Sequence, residues 1–356
     1  MSRVRWRKRL IAAVKIVIAV VVVWGLGRHI LRTWTDLQRH ETPLQISPGF
    51  LALSGLLYLA GLVLCGLFYD DVLKASPTPI PRLAAVRAYL ISHLGKYVPG
   101  KAMVVVMRAG MSAPHGARGA TAAIATFYET LVMMAAGGLI AAAGFGLSGS
   151  PRVELGGDPP VLTFILPILG LVVVQVVSLL GLVGLGLGLL FLIVSWPPIF
   201  RRIARTATLP IPGGGPDALP FFSRRLLGLG LLRTTLAWLA MGLSQLAVIR
   251  GLTPLGPHEL FAAFPLVVGS VALATVAGFV IAVFPGGLGV REGVLMYALG
   301  PALGADLAVV AALVLRLVWV ASEFVAALAL APLGAPEVVL SAPIEQPEQP
   351  STAGPS

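Results

Sequence analysis

Seven ionisable side chains sit in or beside long apolar runs of this sequence: Lys101, Arg108, Glu129, Arg291, Glu292, Arg316 and Glu323. Glu129 stands within Ala-Thr-Phe-Tyr-Glu-Thr-Leu-Val-Met-Met, and Arg316 and Glu323 stand within one apolar stretch. A charge at membrane depth costs roughly 2.5–3.5 kcal/mol on insertion scales, so each such residue is expected to face a partner or a polar cavity. Arg316 and Glu323 are seven residues apart and so share one helix face, as do Lys101 and Arg108. A guanidinium offers phosphate a bidentate fork, and an ammonium offers it a point charge. The chemistry this set points to is capture of a phosphate-bearing headgroup. Two other readings stay open. Arg316 and Glu323 also read as an internal ion pair that fixes helix packing. Glu129 reads as the counter-ion of Arg108 or Arg316, or as a proton-coupling carboxyl.

Catalysis is not expected. The carboxylates are single and lie in separate spans, whereas a lipid-modifying centre would need a carboxylate pair or a His cluster at depth. His93 and His115 read as interfacial polar residues with no further ligand at usable spacing, so no metal is expected. Cys65 is the one cysteine, which removes a disulfide scaffold, a CxxC redox site and a multi-cysteine zinc site. No Walker motif is present, so an ATP-driven pump is not expected. No cofactor and no catalytic residue are assigned.

Two Pro-Gly breaks interrupt apolar sequence beside these charges. The first is Pro99-Gly100, followed by Lys101 and Arg108. The second is Pro285-Gly286-Gly287-Leu288-Gly289, followed by Arg291-Glu292. Proline lacks the N–H and glycine exposes backbone, so a helix should stop at each. Broken backbone at membrane depth is tolerated where it is buried or lines a cavity. Thirty residues separate Pro99 from Glu129, and thirty-one separate Pro285 from Arg316. Paired broken segments are what a transporter built from repeats would show. The second loop could otherwise be a tight interhelical turn. Lys96, in the first loop, reads with Lys101 and Arg108 as a phosphate-binding base or, the preferred reading for it, as a topology-setting charge at the cytoplasmic surface.

The elements that must hold these residues follow from composition. Of 356 residues 57% are hydrophobic and 12% charged, against roughly 25% charged in soluble domains. Mean hydropathy is +0.92. Such a chain cannot cover a water-facing surface. The expected fold is all-α: a polytopic membrane bundle of about seven or eight spans with two interrupted, re-entrant segments. The spans expected are 10–27, 50–69, 117–147, 161–194, 226–249, 260–284 and 307–333, with interrupted segments at 83–111 and 286–303. Residues 1–9 form a basic cytoplasmic terminus, 10–333 a single transmembrane domain, and 334–356 a disordered tail rich in Pro, Ser and Glu. Much of the net charge of +11 is topology. Residues 1–9 carry five bases and no acid, 70–118 seven bases and two acids, and 196–227 five bases and one acid. Nearly balanced loops alternate with these, which places the N-terminus in the cytoplasm. With the bases so explained, nucleic acid is not an expected partner.

At Tyr97-Val98-Pro99-Gly100-Lys101, Arg108, Glu129, Phe284-Pro285-Gly286-Gly287-Leu288-Gly289-Val290-Arg291-Glu292 and Arg316, the chain resembles the lysylphosphatidylglycerol synthase transmembrane family. The likeness spans nearly the whole chain to about residue 333. The family commonly has Glu-Arg where this chain has Glu129-Thr130. The resemblance implies a multi-pass protein of a prokaryotic plasma membrane that translocates or binds a phospholipid or lipid-linked headgroup between leaflets. It also implies a stand-alone membrane region without the aminoacyl-transferring domain. Its partners would be lipids with anionic or phosphate-bearing headgroups. The alternative is a non-catalytic accessory partner of a glycosyltransferase or another envelope-lipid enzyme.

Overall fold

A computed structural model describes residues 46–97, 102–148, 162–208, 219–281, 287 and 289–332, with only the backbone for 162–178 and 257. Ten α-helices run through these residues, with no strand among them. They are α1 (Pro48–Lys74), α2 (Arg82–Ser92), α3 (Ala102–Ser112), α4 (Gly119–Leu147), α5 (Leu162–Ser195), α6 (Pro197–Thr208), α7 (Arg224–Leu252), α8 (Pro257–Val280), α9 (Val290–Leu303) and α10 (Ala305–Leu330). A 3-10 turn at His93–Tyr97 follows α2. The expected all-α bundle is what forms. The span expected at 10–27 and the two terminal segments lie outside the described residues.

Five helices, α1, α4, α7, α8 and α10, are long and apolar enough to cross a membrane. The C-terminal part of α5 joins α6 across a 68° bend, and the pair makes a sixth candidate. Residues expected as one overlong span at 161–194 do form one helix of 34 residues. Leu56, Leu182, Leu232, Leu317 and Leu328 stand 57–72% exposed. Outward leucines at this density need acyl chains, not water, as their surroundings. By contrast α2, α3 and α9 have 11, 11 and 14 residues. At 1.5 Å per residue they reach only about 17–21 Å, short of a core of roughly 30 Å. These are the two interrupted segments. Pro99, Gly100, Lys101, Pro285 and Gly286, the residues expected to break them, lie outside the described residues. Gly287 and Gly289 are described, and both take positive φ, 71° and 81°. Only glycine enters that region at little cost, so the second break is encoded by residue type.

The span expected to end at Tyr69 instead continues to Lys74. Asp70 and Asp71 do not terminate it, because both are paired where they stand. The buried carboxylate of Asp70 holds Lys74 at 2.5 Å and Arg82 at 3.1 Å. Asp71 holds Arg233 of α7 at 2.9 Å.

Helix α4 packs against α5, α7 and α8, and α1 packs along α7. The α4 contacts are close because they are made through glycine. A Cβ at Gly138 would meet the backbone nitrogen of Gly188 at 2.4 Å, and one at Gly144 would meet the carbonyl oxygen of Pro265 at 2.4 Å. Small residues that let backbones touch are the usual means of helix association in lipid. Polar ties add to it: Ser244 Oγ lies 2.8 Å from Ser54 Oγ and accepts the Trp319 Nε1–H at 2.9 Å, joining α1, α7 and α10. Gly138→Val is expected to lower the thermal unfolding temperature in detergent by several degrees, since the clash is with backbone and overpacking typically costs about 1–3 kcal/mol. Gly186→Val, where a Cβ meets nothing within 4 Å, should be neutral in the same measurement.

Candidate functional site

The two broken segments close around one cavity of about 460 Å³. Its walls come from α1, α2, the 3-10 turn, α3, α4, α7, α8, Gly287, α9 and α10. Leu62, Phe127, Met133, Met134, Met241 and Phe279 make most of the lining apolar. Lys96, Arg108 and Arg291 bring positive charge to it, and Glu129 is the one carboxylate among the described residues that line it.

Each charge is set by a different element. Arg108, on α3, is buried, 2% exposed. Its Nη1 lies 3.3 Å from Glu129 Oε2 on α4, and its Nε donates to Ser92 Oγ at 3.0 Å. The guanidinium lies 4.1 Å from the ring centre of Tyr89 and 5.0 Å from that of Tyr69. Tyr89 Oη donates to the other oxygen of Glu129 at 3.0 Å. Thr130, at the position where the family commonly has Arg, donates to Glu129 Oε2 at 3.4 Å. The carboxylate is therefore satisfied on both oxygens without water. The structure brings Glu129 to Arg108, not to Arg316.

Arg316 and Glu323 do not pair with each other, which corrects one reading of their shared helix face. Arg316 Nη1 meets Glu292 Oε1 of α9 at 2.5 Å. Glu292 Oε2 accepts the backbone N–H of Gly289 at 2.7 Å. One side chain thus caps α9 and ties it to α10. Glu323 instead takes Lys96 Nζ at 2.5 Å and a hydrogen bond from Tyr58 Oη, with His93 Nε2 at 3.9 Å. Tyr58 in turn stacks on Trp319, with ring centres 4.2 Å apart. So Lys96 is not a surface charge, and His93 stands beside the same carboxylate. Both are turned inward by the 3-10 turn and by close packing of Gly95, where a Cβ would lie 2.7 Å from the backbone nitrogen of Val104.

The two Arg–Glu ties are opposite in sense. In the first broken segment the helix after the break carries Arg108 and the next span carries Glu129. In the second, the helix after the break carries Glu292 and the next span carries Arg316.

Arg291 differs from the other bases. Among the described residues it makes no ion pair. Its guanidinium lies 4.9 Å from the ring centre of Trp319, and its stem runs between two glycines. A Cβ at Gly278 would come within 2.8 Å of Arg291 Cγ, and one at Gly287 within 3.2 Å of Arg291 Cδ. Among the described residues of the site four bases, Lys96, Arg108, Arg291 and Arg316, face three carboxylates, Glu129, Glu292 and Glu323. One positive charge is left over beside a mostly apolar cavity. Among the described residues no group of three or more His, Cys, Asp or Glu gathers as a metal site would require. Lys101 lies outside the described residues.

Sequence reasoning named Arg108, Glu129, Arg291, Glu292, Arg316 and Glu323, and all six stand in or against this cluster. It missed Tyr58 and Tyr89, which with Trp319 connect the charges. Their signal was present: polar-tipped aromatics placed mid-span usually find a hydrogen-bond partner. A family pattern described as the lysylphosphatidylglycerol synthase TM region matches residues 11–327. No curated protein sequence matches the chain.

Proposed function

Because the chain belongs to the lysylphosphatidylglycerol synthase TM region family, an integral membrane family related to lipid metabolism, we propose that its cavity holds the phosphate of a lipid headgroup and passes it between leaflets. The guanidinium of Arg291, which forms no ion pair among the described residues, carries this reading. A charge left over in a largely apolar enclosure is costly unless a ligand brings its opposite. Arg291 is held ready for that ligand, since Trp319 and the two glycines fix its stem before anything binds. A volume of about 460 Å³ suits a headgroup and falls in the range of small-molecule sites. The acyl chains would stay outside among the exposed leucines.

The excess of one positive charge also selects the ligand. A monoanionic phosphodiester headgroup balances the described charges of the site, and a zwitterionic headgroup does not. Lys96 and Arg108 are already balanced by Glu323 and Glu129, so they add donors to the phosphate and no further net charge. Movement of the headgroup would be driven by a lipid or ion gradient.

The test is the identity of lipids retained by the protein in gentle detergent. A monoanionic phospholipid should be enriched several-fold over a zwitterionic one of the same acyl composition. Equal retention of the two would overturn the charge argument. In proteoliposomes, Glu292→Ala and Arg316→Ala, expressed at normal levels, should each abolish leaflet exchange, because either change frees α9 from α10. Unchanged exchange in both would sink the path.

A further inference from the structure

Away from the cavity, five arginines gather where α5 turns into α6 and α7 begins: Arg201, Arg202, Arg205, Arg224 and Arg225. None of them pairs with an acid among the described residues. The roll of α6 about its own axis is fixed. Phe200 is buried, with its ring centre 4.9 Å from Phe222 and 4.7 Å from Tyr128, and Ala204 is buried one turn later. At 3.6 residues per turn the remaining residues fall on two flanks. Ile199 and Ile203, about 40° apart, emerge on one flank with Trp196, each 39–43% exposed. Arg202 and Arg205, about 60° apart, emerge on the opposite flank and are exposed. Two cation–π contacts bind bases to the exposed aromatics. Arg224 lies 5.5 Å from the ring centre of Trp196, and Arg201 lies 5.8 Å from that of Phe221, which is 69% exposed.

We infer that α6 lies in the plane of the membrane at its surface, with Trp196, Ile199 and Ile203 in the acyl region and the arginine flank bound to the phosphates of anionic lipids. The 68° bend from α5 turns the chain out of the span direction at the place where a helix would meet the headgroups. A basic polar flank beside an apolar one containing Trp is the composition of an interfacial helix. Five bases that pair with no acid among the described residues complement the negative charge of an anionic leaflet. The charge bias of residues 196–227 assigns this end to the cytoplasmic side, where such lipids are enriched. This lipid site shares no residue with the cavity.

The test separates the two sites. Full-length protein in nanodiscs of phosphatidylcholine and phosphatidylglycerol is delipidated gently, and the retained lipids are counted by mass spectrometry. Arg291→Ala, which removes the cavity's free cation, should still retain phosphatidylglycerol over phosphatidylcholine. Adding Arg202→Gln and Arg205→Gln to that background should cut the preference roughly twenty-five-fold, about fivefold per base near a charged surface. Thr206→Gln, an exposed polar-for-polar change on the same helix, should leave it intact. Undiminished preference after both glutamines would overturn the inference. So would complete loss of preference in Arg291→Ala alone, which would place all the anionic lipid in the cavity and leave none on α6.

Discussion

Alanine in place of Arg291 is expected to lower the anionic phospholipid retained in the cavity about tenfold to a hundredfold and to abolish leaflet exchange. The magnitude follows from the charge-assisted hydrogen bonds a phosphate would lose, worth about 1.5–3 kcal/mol, at a tenfold change per 1.4 kcal/mol. The effect on the fold should have the other sign. Arg291 has no carboxylate to leave stranded, so its removal takes away an uncompensated charge. In lipid-free detergent the unfolding temperature of Arg291→Ala should match or exceed that of the wild type. Arg291→Lys should not restore exchange, because an ammonium lacks the planar fork that lies on Trp319 and grips two oxygens. Loss of stability with lipid retention unchanged would make Arg291 a packing residue and end its role as headgroup receptor.

The Arg108–Glu129 pair should behave in the opposite way. Glu129→Ala leaves a guanidinium that is 2% exposed with only Ser92 and two tyrosine rings. Breaking one side of a buried pair typically costs about 3–5 kcal/mol. A large drop in unfolding temperature is therefore expected for Glu129→Ala, and a comparable one for Arg108→Ala, which strands Glu129 on Tyr89 and Thr130. Replacing both by Met should recover most of the loss, since a well-packed apolar pair often matches a buried ionic one. Additive losses in that double variant would mean that the two side chains stabilise α3 and α4 independently and do not act as a pair.

Much of the bundle was legible in the sequence because lipid imposes one strong rule: apolar runs of about twenty residues become helices. The boundary at Tyr69 failed for a reason local sequence does not carry. Asp70 and Asp71 look like an end, but Arg82 and Arg233, which pair with them, come from other helices. The same limit governs the site. Periodicity placed Arg316 and Glu323 on one face correctly, yet their partners are Glu292 and Lys96, set by how α9 and the 3-10 turn fold back. Spacing constrains residues on one helix and is silent on contacts between helices. Lys96 was the largest misreading. Its loop is rich in bases, and only tertiary packing distinguishes the one that turns inward.

The glycine contacts of α4 have a mechanical consequence. Gly138 against Gly188 and Gly144 against Gly269 join three helices backbone to backbone, with no side chain between them to act as a bearing. Such a joint can neither slide nor roll without collision. Helix α4, with Glu129 on it, is then the stator of the molecule. The short helices α2 and α3 meet it through side chains instead, since Tyr89 and Arg108 both hold Glu129, so movement in the cavity wall falls to them. The ion pair from Arg108 to Glu129 is the tether that sets the position of α3 on α4.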